Sequence, residues 1–241
     1  MGSLLAQTRM EMRLTLRRGE GVLITMVVPV VLLVFFAAIG LKPNTYTRPI
    51  DFLLPGMLAL AVMSTGLVSL SIRTAYERSY GVLKRLGSTP LSRPTLLGAK
   101  VIAVIAIELV EIVLLVAIAM GAYGWRPTGA FAAAILALIL GTVVFSGIGL
   151  MMAGALRAET TLAGANALYL LFLLVGGIVW PVDKLPGPLA IVGQLLPSAA
   201  FADALRATLS STPALPWLSL AILAGWGVLA LVVASRTFQW E

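Results

Sequence analysis

The sequence predicts an all-α membrane protein. It should have six transmembrane helices with both termini cytoplasmic, an N-terminal interfacial helix, a cytoplasmic helix between the second and third spans, and short outer re-entrant helices before the last span. Three observations predict this. Of the 241 residues, 60% are hydrophobic and only 11% charged, with mean hydropathy +1.02, whereas a soluble domain is about 45–50% apolar and about 25% charged. The apolar residues fall in six blocks of 18 to 23, close to the ~20 helical residues a hydrocarbon core requires and too long for strands. Lys and Arg, finally, crowd the segments on one side of those blocks, the bias that orients a membrane protein.

The first twenty residues form an amphipathic helix. Arg9, Arg13 and Arg17 recur at four-residue intervals beside an apolar stripe of Leu5, Met12 and Leu16. Such a helix can lie in the interface plane with its arginines toward anionic lipid headgroups; the simpler reading is a basic flank of the first span. Span one, residues 22–41, is too long and starts too late for a cleaved signal, and Pro29 should kink it. Span two is residues 52–72.

Residues 73–99 are the longest cytoplasmic stretch. Helical spacing runs from Thr74 to Leu86, and Gly87 with the Ser88-Thr89-Pro90 turn stops it. Ser92 is placed to cap the next helix. This makes a short exposed helix with apolar Val82, Leu83 and Leu86 beside basic Arg78, Lys84 and Arg85, a candidate docking surface. Composition alone equally allows a solvated basic loop that serves only topology.

Span three, residues 101–123, carries Glu108 and Glu111, the only acidic or basic residues inside any apolar run. Three apart, they share a helix face; counted from Lys100 they lie roughly 12 and 17 Å along the helix. Carboxylates at that depth are costly and must face protein or water, pair with a cation, or carry a proton. They are candidates for a cationic substrate or a proton, or else for a structural hydrogen bond. Spans four and five, residues 130–152 and 162–182, are rich in small residues (Gly147, Gly149, Ala153, Gly176) suited to close helix packing. The outer segment 183–216 is long for a connection. It is punctuated by Pro186, Pro188 and Pro197, with Pro181 just before it, and holds short apolar helices at 189–196 and 199–209. These can cap the exit of a pathway or merely cover helix ends. Span six is residues 217–234. The whole chain, 1–241, reads as one transmembrane domain.

Twelve of the seventeen Lys and Arg residues lie in the leader, in 73–100, and after spans four and six. That places both termini inside the cell membrane and accounts for the net charge of +7 without nucleic acid. There is no Cys and no His, which removes disulfides, thiolate nucleophiles, His triads and the commonest metal ligand. There is no G-x-x-x-x-G-K-[ST] loop and no acid cluster for Mg²⁺. The chain is therefore expected to be no enzyme, with no catalytic residue, metal or cofactor of its own.

Two motifs carry a resemblance. Glu77-Arg78-x-x-Gly81-x-Leu83-Lys84-Arg85-Leu86-x-x-Thr89-Pro90-Leu91-Ser92-Arg93, followed by Leu97-Gly98-x-Lys100, resembles the cytoplasmic loop of ABC transporter permeases of the type-2 export class. The outer pattern Trp180-Pro181-x-x-x-Leu185-Pro186, then Leu196-Pro197 and Ala204-Leu205-Arg206, is similar to the segment before their last span. The likeness covers nearly the whole chain and is nearest to daunorubicin-resistance-like and nodulation-export-like members. It implies a membrane-embedded exporter half that pairs with a second permease subunit, as a homodimer or with a sister permease. It also implies two copies of an ABC ATPase subunit that hold the ATP and Mg²⁺. The helix at Glu77–Leu86 would be the coupling helix seated in the ATPase, and spans one, two and five would line the subunit interface and the path. A hydrophobic drug, antibiotic or lipid-like substrate fits the apolar chain best, and a glycan or lipid-linked glycan is the alternative. A membrane scaffold or sensor, or an ion-coupled transporter, would need no ATPase. Glu108 and Glu111 match no motif of that class.

Overall fold

The computed structural model describes residues 2–17, 19–41, 43, 46–88, 91–126, 129–179, 182, 186–210 and 215–237, the side chains of 2, 3, 15–17 and 19–24 excepted. Pro90 and Pro181 lie outside the described residues, as do Thr89, Trp180 and Leu185, and so does the side chain of Arg17. Within them the chain is helical and contains no strand. The helices are α1 (Gly2–Arg17), α2 (Gly19–Ala38), α3 (Pro49–Ser79), α4 (Val82–Gly87), α5 (Arg93–Tyr123), α6 (Phe131–Ala155), α7 (Ala158–Val175), α8 (Gly187–Leu195), α9 (Pro197–Leu209) and α10 (Trp217–Thr237). Five of these, α3, α5, α6, α7 and α10, are long and apolar enough to cross a membrane. The described apolar part of α2, Thr25–Ala38, is shorter, and Pro29 lies within it. The pair α8 and α9 meets at a bend of 76°, the geometry of a broken span or of a re-entrant pair.

Helix α3 is the hub. It starts at a proline in the first turn after an extended Arg48, the position where a missing N–H costs nothing. It then runs 31 residues, its apolar core 83% buried within the chain. The resemblance places span two at a subunit interface; here its own neighbours enclose it. The reason is its small residues. A Cβ on Gly149 of α6 would lie 2.7 Å from the carbonyl oxygen of Gly66 in α3, so the two backbones touch directly, as membrane helices do where side chains are absent. At that crossing α3 is wound as a π-turn, Ser64–Ser69, with the amide of Leu70 bonded five residues back to Thr65.

At the far end from α4, helix α9 dips into the bundle. Phe201 lies over Gly141 of α6 and meets Phe145 at 5.8 Å between ring centroids. Helix α8 stays outside, with Leu189, Ile191, Val192 and Leu195 exposed, and Trp226 of α10 donates to the carbonyl of Leu195.

Candidate functional site: the elbow and its ion cluster

The segment after α3 is folded by one glycine. The sequence predicts a single helix from Thr74 to Leu86. Instead α3 continues to Ser79, the chain turns at Tyr80 and Gly81, and α4 begins at Val82. Gly81 has φ +68°, a left-handed conformation that costs a side-chain-bearing residue roughly 1 kcal/mol. Ser92 then caps α5, its Oγ accepting from the amide of Thr95 at 3.4 Å, as the sequence indicates.

The elbow separates two faces. Leu83 is fully buried and packs with Leu96, with Leu86, Leu91 and Leu97 around them. Leu83 is therefore corrected from docking anchor to internal pin, since a helix of six residues has no room to bury a side chain on two sides. The other face shows Tyr80, 72% exposed, Val82, 40% exposed, and the exposed Lys84 and Arg85. Tyr76 and Tyr80 stack along the bend at 5.9 Å.

Glu77 and Arg78, read from sequence as part of the docking helix, turn inward from the end of α3. The guanidinium of Arg78 donates to the carbonyls of Gly154 and Leu156. It closes the C-terminus of α6, where open carbonyls and the helix dipole favour a cation. Glu77 joins a cluster. Lys100 of α5, wholly buried, reaches Glu77 and lies 3.1 Å from Glu11 of α1. Arg73 of α3 lies 3.6 Å from Glu11 and 3.8 Å from Glu77. Gln7 donates to Glu11 at 3.0 Å. Two anions and two cations thus lock α1, α3 and α5 together directly behind the elbow. Removing one partner from such a buried set costs about 3–5 kcal/mol.

Sequence reasoning missed this cluster. It counted Arg73 and Lys100 only as topological charges and gave Glu11 no role. The available signal was that Glu11 is the lone acid of α1, against three arginines. The packed face of α1 is accordingly polar, with Gln7, Thr8 and Glu11 buried, while Arg9, Arg13, Leu5, Met10 and Met12 are exposed. Arginines and apolar side chains pointing away from the protein suit a helix lying at a membrane surface.

At the opposite end Arg206 is 8% exposed. It donates to the carbonyl of Ile178 at 2.9 Å and lies 4.1 Å above the ring of Phe52. It fastens α9 to α3 and to the turn after α7. Pro197 opens α9 at its first turn, and Pro186 precedes α8. These residues set helix starts and hold the re-entrant pair; they form no chemical centre with the elbow.

Within the bundle Glu108 and Glu111 are 3% and 2% exposed. Both carboxylate oxygens of Glu111 take the Thr65 hydroxyl at 3.0 Å, Thr25 also bonds to Glu111, and Thr142 donates to Glu108. Among the described residues no group of three acids, Cys or His is placed to hold a metal.

A family model described as ABC-2 type transporter matches residues 3–210. Among curated proteins the chain is similar to YvfS of Bacillus subtilis (strain 168), which bears the name of a transport permease. The two are 27% identical over 210 residues, covering 83% of each chain. It is also similar to ABC transporter G family member 20 of Dictyostelium discoideum, 23% identical over 201 residues, which is 80% of this chain and 28% of that longer protein.

Proposed function

The chain belongs to the ABC-2 type transporter family and is a multi-pass plasma-membrane subunit of an ABC transporter; from that premise we propose that it forms the pathway half of an ATP-driven exporter, worked by a separate ATPase subunit that docks on the elbow. The observation that carries the reading is the division of α4 into a buried pin and an exposed, basic and apolar face. A lever must be stiff to transmit force. Here Leu83 and the Glu11–Arg73–Glu77–Lys100 cluster make the elbow one body with α1, α3 and α5.

Two ATPase copies would bind beneath two permease subunits, supplying the ATP and Mg²⁺. Val82 and Tyr80 offer the apolar anchor such interfaces centre on, and Lys84 and Arg85 the steering charge. A second copy or a sister permease would lie against α2 and α7, whose outer faces carry Val27, Val31, Phe35, Leu170 and Leu174 in exposed positions. The substrate proposed is a hydrophobic drug-like or lipid-like molecule, since exposed Val, Leu and Phe side chains dominate those faces, Asn166 standing among them on α7.

The test is Val82→Asp in the assembled transporter. Val82 is exposed, so the permease should fold and insert normally. Its affinity for the ATPase subunit, read by co-purification and titration, should fall at least about tenfold, equivalent to ~1.4 kcal/mol. ATP-driven export into inverted vesicles should fall with it. A variant that binds the ATPase and exports like the parent would refute the docking assignment.

A further inference from the structure

Glu108 and Glu111 of α5 face four elements, and the polar groups those elements bring against them are, among the described residues, neutral. Helix α3 contributes Thr65, α6 contributes Thr142, and α2 contributes Thr25. Helix α7 contributes Tyr169, which stands near Glu111 and is hydrogen-bonded with Ser64. No Lys or Arg occurs in residues 101–125, 127–156 or 158–175, nor in 49–72. Hydroxyls donate to a carboxylate without cancelling its charge, and an uncompensated charge at this depth in a membrane is costly.

Two further buried polar atoms belong to these same helices. Oε1 of Glu108 is buried and has no hydrogen-bond partner among the described residues, and neither has Oγ of Ser146. Ser146 is wholly buried and stands one turn along α6 from Thr142. Its hydroxyl lies 3.2 Å from where a Cβ on Gly66 would sit, inside the π-turn of α3 and next to Thr65. Oε2 of Glu108 is engaged by Thr142, so Oε1 is the oxygen open to a further bond.

We propose that Glu108 and Glu111 form an intramembrane proton-binding site, occupied while α3, α5 and α6 pack as they do here and emptied when they part. A proton fits where a metal ion does not. Three of the four carboxylate oxygens already touch hydroxyls, and a metal cation needs its own shell of oxygen ligands, whereas a proton on Oε1 of Glu108 adds no volume. The π-turn supplies the moving part. Its wider winding is a feature frequently found at functional sites, and a slide of α3 along α5 would pull Thr65 from Glu111 and open the pair. The site then takes and returns one proton as the helices close and open, independently of how the elbow meets a partner.

The experiment uses the full chain in lipid nanodiscs, as parent, Glu108→Gln, Glu111→Gln and the double variant. Glutamine keeps the shape and can still accept from the threonine hydroxyls, so the fold should persist; a single variant decides the matter where the double one fails to fold. Infrared spectra in acid and alkaline buffers should show the carbonyl stretch of a protonated carboxyl in the parent, weaker in at least one single variant and gone in the double. A parent without that band, or a band unchanged by substitution, overturns the proposal. So does a melting temperature that rises with Na⁺ or K⁺ in the parent but not in the double variant, which would mark an alkali-ion site. In the transporter assembled with its ATPase, the pH dependence of ATP-driven export should flatten in the variants, and an unaltered profile would count equally against the site.

Discussion

Helix α5 carries two buried polar centres of opposite design. At its start Lys100 and the neighbouring Arg73 face Glu11 and Glu77, two cations against two anions. Eight residues on, roughly 12 Å along the axis, Glu108 and Glu111 face threonine hydroxyls and, among the described residues, no cation. The first centre balances its charge from within, so its members are fixed in one state and serve as a clamp. The second meets no cation among the described residues, and in the proposed site a proton supplies the positive charge. Burial of a carboxylate therefore does not by itself distinguish structure from chemistry; the identity of the facing groups does.

Breaking the clamp should have the largest effect. Lys100→Met leaves Glu11 and Glu77 with Arg73 alone and should lower stability by about 3–5 kcal/mol, read as a fall in melting temperature in detergent and as protease sensitivity of α1. Glu77→Gln keeps the shape and loses the charge that faces Lys100 and Arg73. It should cost about 1.5–3 kcal/mol and loosen the elbow, seen as faster hydrogen exchange across residues 76–88. Thr65→Val, which removes the hydroxyl from Glu111 without adding charge, should be the mildest, about 0.5–1.5 kcal/mol in the same melting assay. A reversal of that order, with Thr65→Val worse than Lys100→Met, would erase the distinction between clamp and site.

The elbow sharpens the same lesson on a smaller scale. Val82 and Leu83 are adjacent and equally apolar in sequence, yet one is 40% exposed and the other buried. The helical pattern from Thr74 onward was legible, and so was Ser92 as a cap, because both depend on residues within one turn. The break at Gly81 was not, because glycine tolerates both a helical and a left-handed backbone and its neighbours decide between them. The acid pair was legible as an anomaly, since charge inside an apolar run needs no structure to be noticed. Its hydroxyl partners were not, because Thr65 and Thr142 stand 46 and 34 residues away.

By itself the sequence determined that this chain lives in a membrane, where its apolar helices lie and which loops are basic. Those properties follow from composition and from the length of helix a bilayer admits. Tertiary structure alone decided which apolar faces meet protein, which carboxylates meet cations and which side of α4 is free. Lipid tails are as apolar as leucine, so hydropathy places a helix in the bilayer without saying what it packs against. That choice rests on small residues such as Gly66 and Gly149, whose bare backbones let α3 and α6 close on each other.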